Sequence, residues 1–115
     1  MMPKYKEKII KILNKTRPRL SISNDLEFKN CFGAVACYLD GQLFIVCENF
    51  GVALKLPSKT LSTLFDSKNG KQLKYFKNGH VKKDYAIISK KILDNHIELK
   101  KLVDRSIKFT TSSEI

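Results

Sequence analysis

Cys31, Cys37 and Cys47 are the residues of this sequence best suited to nucleophilic or metal chemistry, and their setting argues against both. They stand six and ten residues apart with no CxxC pair, so no zinc framework is indicated. His80 and His96 show no ligand-like spacing. A cysteine nucleophile needs a nearby base and an exposed, electropositive setting. Cys37 falls inside an apolar run, where a free thiol packs as a small hydrophobe. Cys31, beside Phe32 and Gly33, is less constrained, but nothing places a histidine next to it. The carboxylates Asp40, Glu48, Asp66, Asp84, Asp94 and Asp104 are scattered through turns and helix ends. No GxSxG, GxxxxGK or HExxH is present. Gly33 and Gly41 form no dinucleotide loop, because Gly41 lies in a hairpin and no helix follows it. The expectation is a protein without catalytic residues, metal or cofactor.

A basic segment is the remaining chemical feature. Lys71, Lys74, Lys77, Lys82 and Lys83 surround Tyr75, Phe76 and Tyr85. Lysines among exposed rings can hold a nucleic-acid strand, phosphates on ammonium groups and bases on rings. The plain structural reading puts the rings in the core and the lysines in solvent. Tyr75 shares strand parity with Leu73, which favours the core; Phe76, in step with Lys74, is the better exposed candidate. The whole chain of 115 residues carries a net charge of +11. Residues 1–30 contribute +5, residues 31–66 contribute −1, and residues 67–115 contribute +7. Such a balance attracts polyanions by counterion release. It equally describes a lysine-solubilised surface. Nineteen lysines against three arginines make base-specific readout a poor fit, since a lysine is a point charge without bidentate geometry.

The elements that must position these residues can be read from periodicity. Tyr5, Ile9, Ile12 and Leu13 mark one face of a helix over about residues 4–15, which Pro18 prevents from continuing. Residues 21–25 read as a loop. Residues 34–39 and 42–48 flank Asp40-Gly41, the strongest short-range hairpin signal, because both central residues of the tight turn need positive φ. A regular ladder then sets Leu39 opposite Gln42, Tyr38 opposite Leu43, Cys37 opposite Phe44 and Val35 opposite Val46. In that register Cys37 and Cys47 point to opposite faces, so no disulfide joins them. Gly33 is expected at a bulge ahead of the hairpin. A third strand carries Val52, Leu54 and Leu56 and ends at Pro57. Ser58 is placed to cap a short helix carrying Leu61, Leu64 and Phe65. Residues 71–76 and 84–89 read as two strands around a basic loop. Asn95 and Glu98 read as a capping box for a last helix buried through Leu99, Leu102, Val103 and Ile107. The sum is a single domain over residues 1–115, with a core over about 5–109 and a polar tail at 110–115. Its class is α+β, two-layered, α-β(3)-α-β(2)-α with an antiparallel sheet.

Taken in order, Phe32-Gly33, Tyr38-Leu39-Asp40-Gly41, Leu43-Phe44, Leu54-Lys55-Leu56-Pro57, Tyr75-Phe76, Asp84-Tyr85 and the terminal amphipathic helix resemble the TfoX N-terminal-domain family, named for regulators of bacterial competence. The resemblance covers about residues 5–109. It implies the same α-β(3)-α-β(2)-α fold, a regulatory role near competence or transcription, and no agreed catalytic residues. Here Cys31-Phe32-Gly33-Ala34 stands where the family usually has Met-Phe-Gly-Gly.

The reading that follows is a non-enzymatic, protein-interaction domain, with a weak and sequence-tolerant nucleic-acid-binding module as the alternative. A protein partner in the transcription machinery is the expected ligand. No stretch approaches the roughly 18 apolar residues of a membrane span, and the sparse, odd cysteine count suits a reducing compartment, so a cytoplasmic protein is expected. Both faces of the central hairpin are apolar, while the helices of a two-layer domain cover one. Either the segment 16–30, with Leu20, Ile22, Leu26 and Phe28, folds over the second face, or a homodimer covers it; the dimer is the favoured expectation.

Overall fold

The computed structural model describes residues 3–31, 33–74 and 81–111. Helix α1 (Pro3–Thr16) buries the expected Tyr5, Ile9, Ile12 and Leu13. A short helix α2 (Leu20–Ser23) leads into a four-strand meander: β1 (Leu26–Cys31), β2 (Ala34–Leu39), β3 (Gln42–Glu48) and β4 (Gly51–Lys55). Helix α3 (Ser58–Asp66), strands β5 (Gly70–Lys74) and β6 (Val81–Ile88), and helices α4 (Lys90–Leu93) and α5 (His96–Thr111) complete the chain. The six strands form one sheet in the order β1-β2-β3-β4-β6-β5, with every neighbouring pair antiparallel. The protein is therefore α+β, with one more strand ahead of α3 than the periodicity gave.

That extra strand corrects the reading of residues 16–30. The segment does not fold over the second face of the sheet. It turns through α2 and joins the sheet edge as β1, with Leu26 opposite Leu39 and Phe28 opposite Cys37. Leu20 is buried in the main core, Leu26 and Phe28 pack against it, and Ile22 is 81% exposed. The sequence Leu-Glu-Phe-Lys alternates apolar and charged residues, as a half-buried edge strand should.

The central hairpin departs from a regular ladder. Leu39 faces Gln42 and Tyr38 faces Leu43 as expected, but Cys37 then faces Ile45 and Val35 faces Cys47. Phe44 is the extra residue of a β-bulge, which places two residues of one strand against one of its partner. Phe44 and Ile45 both enter the main core, while Val46 turns to the other face. The slip also carries Cys47 to the same core as Cys37, correcting the opposite-face assignment; both thiols are free. The bulge is locked from the helix layer: the buried Ser106 hydroxyl of α5 donates to the Phe44 carbonyl at 3.4 Å.

Every buried apolar residue of the helices belongs to one core, on one side of the sheet. A second, smaller cluster on the other side consists of strand residues alone: Ala34, Ala36, Val46, Ala53, Leu73 and Tyr85. Tyr38, Leu43, Phe50 and Ile87 pack around these small side chains, and the Lys29 ammonium lies 4.9 Å from the centre of the Tyr38 ring. The large exposed apolar side chains among the described residues are Ile10, Ile22 and Ile97, all on helices. The second face is thus a satellite cluster in which three alanines sit among larger, partly buried side chains.

Two helix ends also differ. Pro57, not Ser58, occupies the cap position of α3, and no side chain caps it. Asn95 does cap α5, its side-chain oxygen accepting the Glu98 N–H at 3.1 Å. Helix α5 runs to Thr111 with Thr110 buried, so residues 110 and 111 belong to the fold and not to a polar tail.

Candidate functional site

The basic segment lies only partly within the described residues. Lys77, with Tyr75, Phe76 and His80, lies outside the described residues. Lys82 lies in β6. Lys71, Lys74 and Lys83 are exposed, on an edge strand and its neighbour. Lys71 pairs with Ile87 and Lys74 with Val81, on either side of a break in the β5–β6 register between Gln72 and Leu73.

The glycine-turn motif is architectural. Phe32 lies outside the described residues. Gly33, at φ +84, follows it in the two-residue connection between Cys31 and Ala34, which pair across the strands; it belongs to a tight turn and not to a bulge. Asp40 and Gly41 adopt φ of 50° and 85°, the pair of positive values that a two-residue hairpin turn needs. Asp40 does more than turn the chain. Its carboxylate accepts the Asp25 N–H at 2.8 Å and the Asn24 amide at 2.6 Å, and its own N–H donates to the Asp25 carbonyl at 2.8 Å. The Asp25 N–H first, and the Asn24 amide second, hold this carboxyl below its ordinary value. The clamp ties the start of β1 to the β2–β3 turn.

The thiols are placed for packing. Burial pushes the Cys37 thiol up to about 12. Burial also raises Cys47, against the opposing influence of the Lys8 charge. Asp104 is partly buried, which opposes ionisation, yet hydrogen bonds from Arg17 at 3.0 Å and Lys100 at 3.1 Å outweigh that and hold it below its ordinary value. The Arg17 contact joins the residue after α1 to α5. Among the described residues, no three of His, Cys, Asp and Glu gather where they could hold a metal ion.

A different basic site emerges from the packing of the helices. A cleft of about 670 Å³ opens between α1, the β3–β4 turn and the α4–α5 region. Lys8, Lys11 and Lys15 of α1 and Lys90 of α4 line it. Ile12, Ile88, Leu93 and Leu99 supply an aliphatic floor, and Phe50 and Gly51 one wall. Asp94 is its acidic lining residue, and it pairs with Lys90 at 3.1 Å. A second depression, lined by Lys4, Glu7, Lys8, Ile10 and Lys11, continues along α1 and shares Lys8 and Lys11 with the first. The spacing 4, 8, 11, 15 was a visible signal, since it keeps one side of a helix. Read alone, however, it marks only a solvated face; the cleft exists because α4 and α5 return to it.

The molecule is therefore a small α+β domain, its helices on one side of an open antiparallel sheet and a lysine-lined cleft among them. Residues 19–110 match the family model of the TfoX N-terminal domain, and the chain belongs to that family of competence-regulator-like domains. Lys8, Lys11 and Lys15 precede the matched span. Comparison with curated proteins gives no match. Among the described residues, no helix is long and apolar enough to cross a membrane.

Proposed function

We propose that this protein is a non-enzymatic regulatory domain that acts in the cytoplasm by binding a protein partner, in the manner of a competence or transcription regulator. One contrast carries the reading. Asp40, Asp104 and the buried Cys37 are engaged in architecture, while the cleft lysines of α1 are exposed and no ion pair among the described residues holds them. A cationic surface offered for binding, with Asp94 its one carboxylate and the cysteine thiol buried elsewhere, fits recognition better than turnover. Family membership supports the same reading. The partner proposed is a component of the transcription machinery. The test is cross-linked affinity capture of the full chain from its host, with and without nuclease. A stoichiometric protein that survives nuclease supports the reading, and capture of nucleic acid alone refutes it.

A second reading, weak and sequence-tolerant nucleic-acid binding, is favoured by the net charge of +11 and the exposed Lys71, Lys74 and Lys83. It requires steep loss of duplex binding with salt, and loss across all sequences alike for Lys71→Glu/Lys83→Glu. Homodimerisation is a separate proposal. Sedimentation equilibrium at micromolar concentration tests it against the 13.2 kDa monomer mass.

A further inference from the structure

The cleft beside α1 brings together an aliphatic floor and a cationic rim, and the rim is energetically unprovoked by the fold. Lys8, Lys11 and Lys15 stand at i, i+3 and i+7, on one side of the helix over about 10 Å of its length. The ion pairs among the described residues join Arg17 to Asp104, Lys29 to Glu27, Lys90 to Asp94 and Lys100 to Asp104; none holds these three lysines. Like charges three and four residues apart oppose helix formation, and Glu7, four residues before Lys11, offsets this only at one of the three. A locally unfavourable arrangement bordering an apolar cleft is the kind of departure expected where a surface is used.

We propose that this cleft docks an acidic, amphipathic segment of a partner protein, with leucine-like side chains on the Ile12–Leu99 floor and Asp or Glu carboxylates against the α1 lysines. The proposal rests on the interaction-domain reading above and names the site and the chemistry of its ligand. Two observations choose a polypeptide over other anions. The floor is aliphatic, which suits leucine-like anchors, and Phe50 is the single ring in the lining, too few for a run of stacked bases. The lysine row continues past the cleft through the second depression to Lys4, a track for an extended or helical chain rather than a compact ligand.

The experiment uses the purified full chain and fluorescence anisotropy of a labelled short peptide in which Asp and Glu flank Leu and Phe. Comparison probes are polyglutamate of equal length, a peptide with the acids replaced by Ser, and a single-stranded oligonucleotide. The expected result is saturable binding of the acidic-apolar peptide below millimolar concentration, with both peptide controls weaker. Lys8→Gln/Lys11→Gln/Lys15→Gln should weaken it roughly tenfold, as loss of three partly screened charge contacts implies. Leu93→Ala should weaken the acidic-apolar peptide and leave polyglutamate unchanged. Thermal melts of both variants confirm the fold, and Lys59→Gln serves as an exposed control. Equal binding of polyglutamate, no effect of the triple Gln variant, or displacement of the peptide by the oligonucleotide each overturns the proposal. The two readings separate in the capture experiment. A partner retained equally by the triple variant removes this site and leaves the interaction domain standing, whereas no partner for the unmodified chain removes the broader reading.

Discussion

Substitution of Gly41 isolates the cost of a backbone conformation from the cost of space. Gly41 sits at φ +85, and a Cβ built there meets nothing within 4 Å. Any penalty therefore comes from the left-handed backbone alone. For an L-residue this is roughly 1–2 kcal/mol, and Val, branched at Cβ, belongs at or above the upper end. Removing a glycine also restricts the unfolded chain, which returns about 0.4–1 kcal/mol. The net expectation is near zero for Gly41→Asn, whose side chain tolerates this region, about 1 kcal/mol for Gly41→Ala and about 2 kcal/mol for Gly41→Val. Gly70 provides the opposite case. Its φ is not positive, but a Cβ there would lie 3.1 Å from the Leu64 Cβ and 3.4 Å from the Ala86 Cβ. At Gly70 the order should follow size, with Ala cheaper than Asn; at Gly41 the order reverses. The chain has no tryptophan, so urea unfolding is best followed by far-UV circular dichroism. With a urea dependence of about 1–2 kcal/mol per M, the Gly41→Val midpoint should fall by about 1–2 M. Equal midpoints for Asn, Ala and Val at Gly41 would refute the argument that backbone strain sets the cost.

Leu20→Ala should cost about 2–5 kcal/mol, as for other buried leucines, while Ile22→Ala stays within about 0.5 kcal/mol; similar urea midpoints for the two would show that α2 is misplaced. Cys37 and Cys47 should resist alkylation at mildly alkaline pH in the folded chain and label on unfolding, as read by peptide mapping; rapid native labelling of Cys37 would contradict its raised pKa. The Asp40 carboxyl is depressed in the folded chain, so its contribution is complete above the unfolded pKa and is lost as pH falls through the folded value. Asp40→Asn should accordingly flatten the acid limb of the stability–pH curve, and an unaltered limb counts against the clamp.

The hairpin's bounds and the two residue pairs beside its turn were legible because Asp40-Gly41 pins both strand ends, and β2 and β3 begin and end where those residues require. The bulge was hidden because Phe44, Ile45, Val46 and Cys47 are all apolar, so a slip of one residue leaves no polar side chain in the core to betray it. Strand β1 was hidden by its neighbours: Pro18 and Asp25 signal loop, and the alternation after Asp25 is short. The site was half legible. The lysine spacing on α1 stood in the sequence, but the floor that makes a cleft of it comes from Ile88, Leu93 and Leu99, which only tertiary packing brings near. The basic segment around residues 71–83 drew attention by local density, and its described Lys71, Lys74 and Lys83 are exposed on β5 and β6.

The seating of α5 across the meander has a consequence for biosynthesis. Strands β1 to β4 are joined by short connections, so they can pair as soon as they leave the ribosome. Their inner face includes Val35, Cys37, Leu39, Phe44 and Ile45, and α5 is the last described element to be made. Ser106, which engages the Phe44 carbonyl at the bulge, arrives with it. The nascent chain therefore passes through an interval in which α1 covers only part of the apolar face of a paired sheet, the condition under which chains associate wrongly. Slowing translation ahead of α5 should lengthen that interval, and soluble yield should depend on how fast the last helix is released.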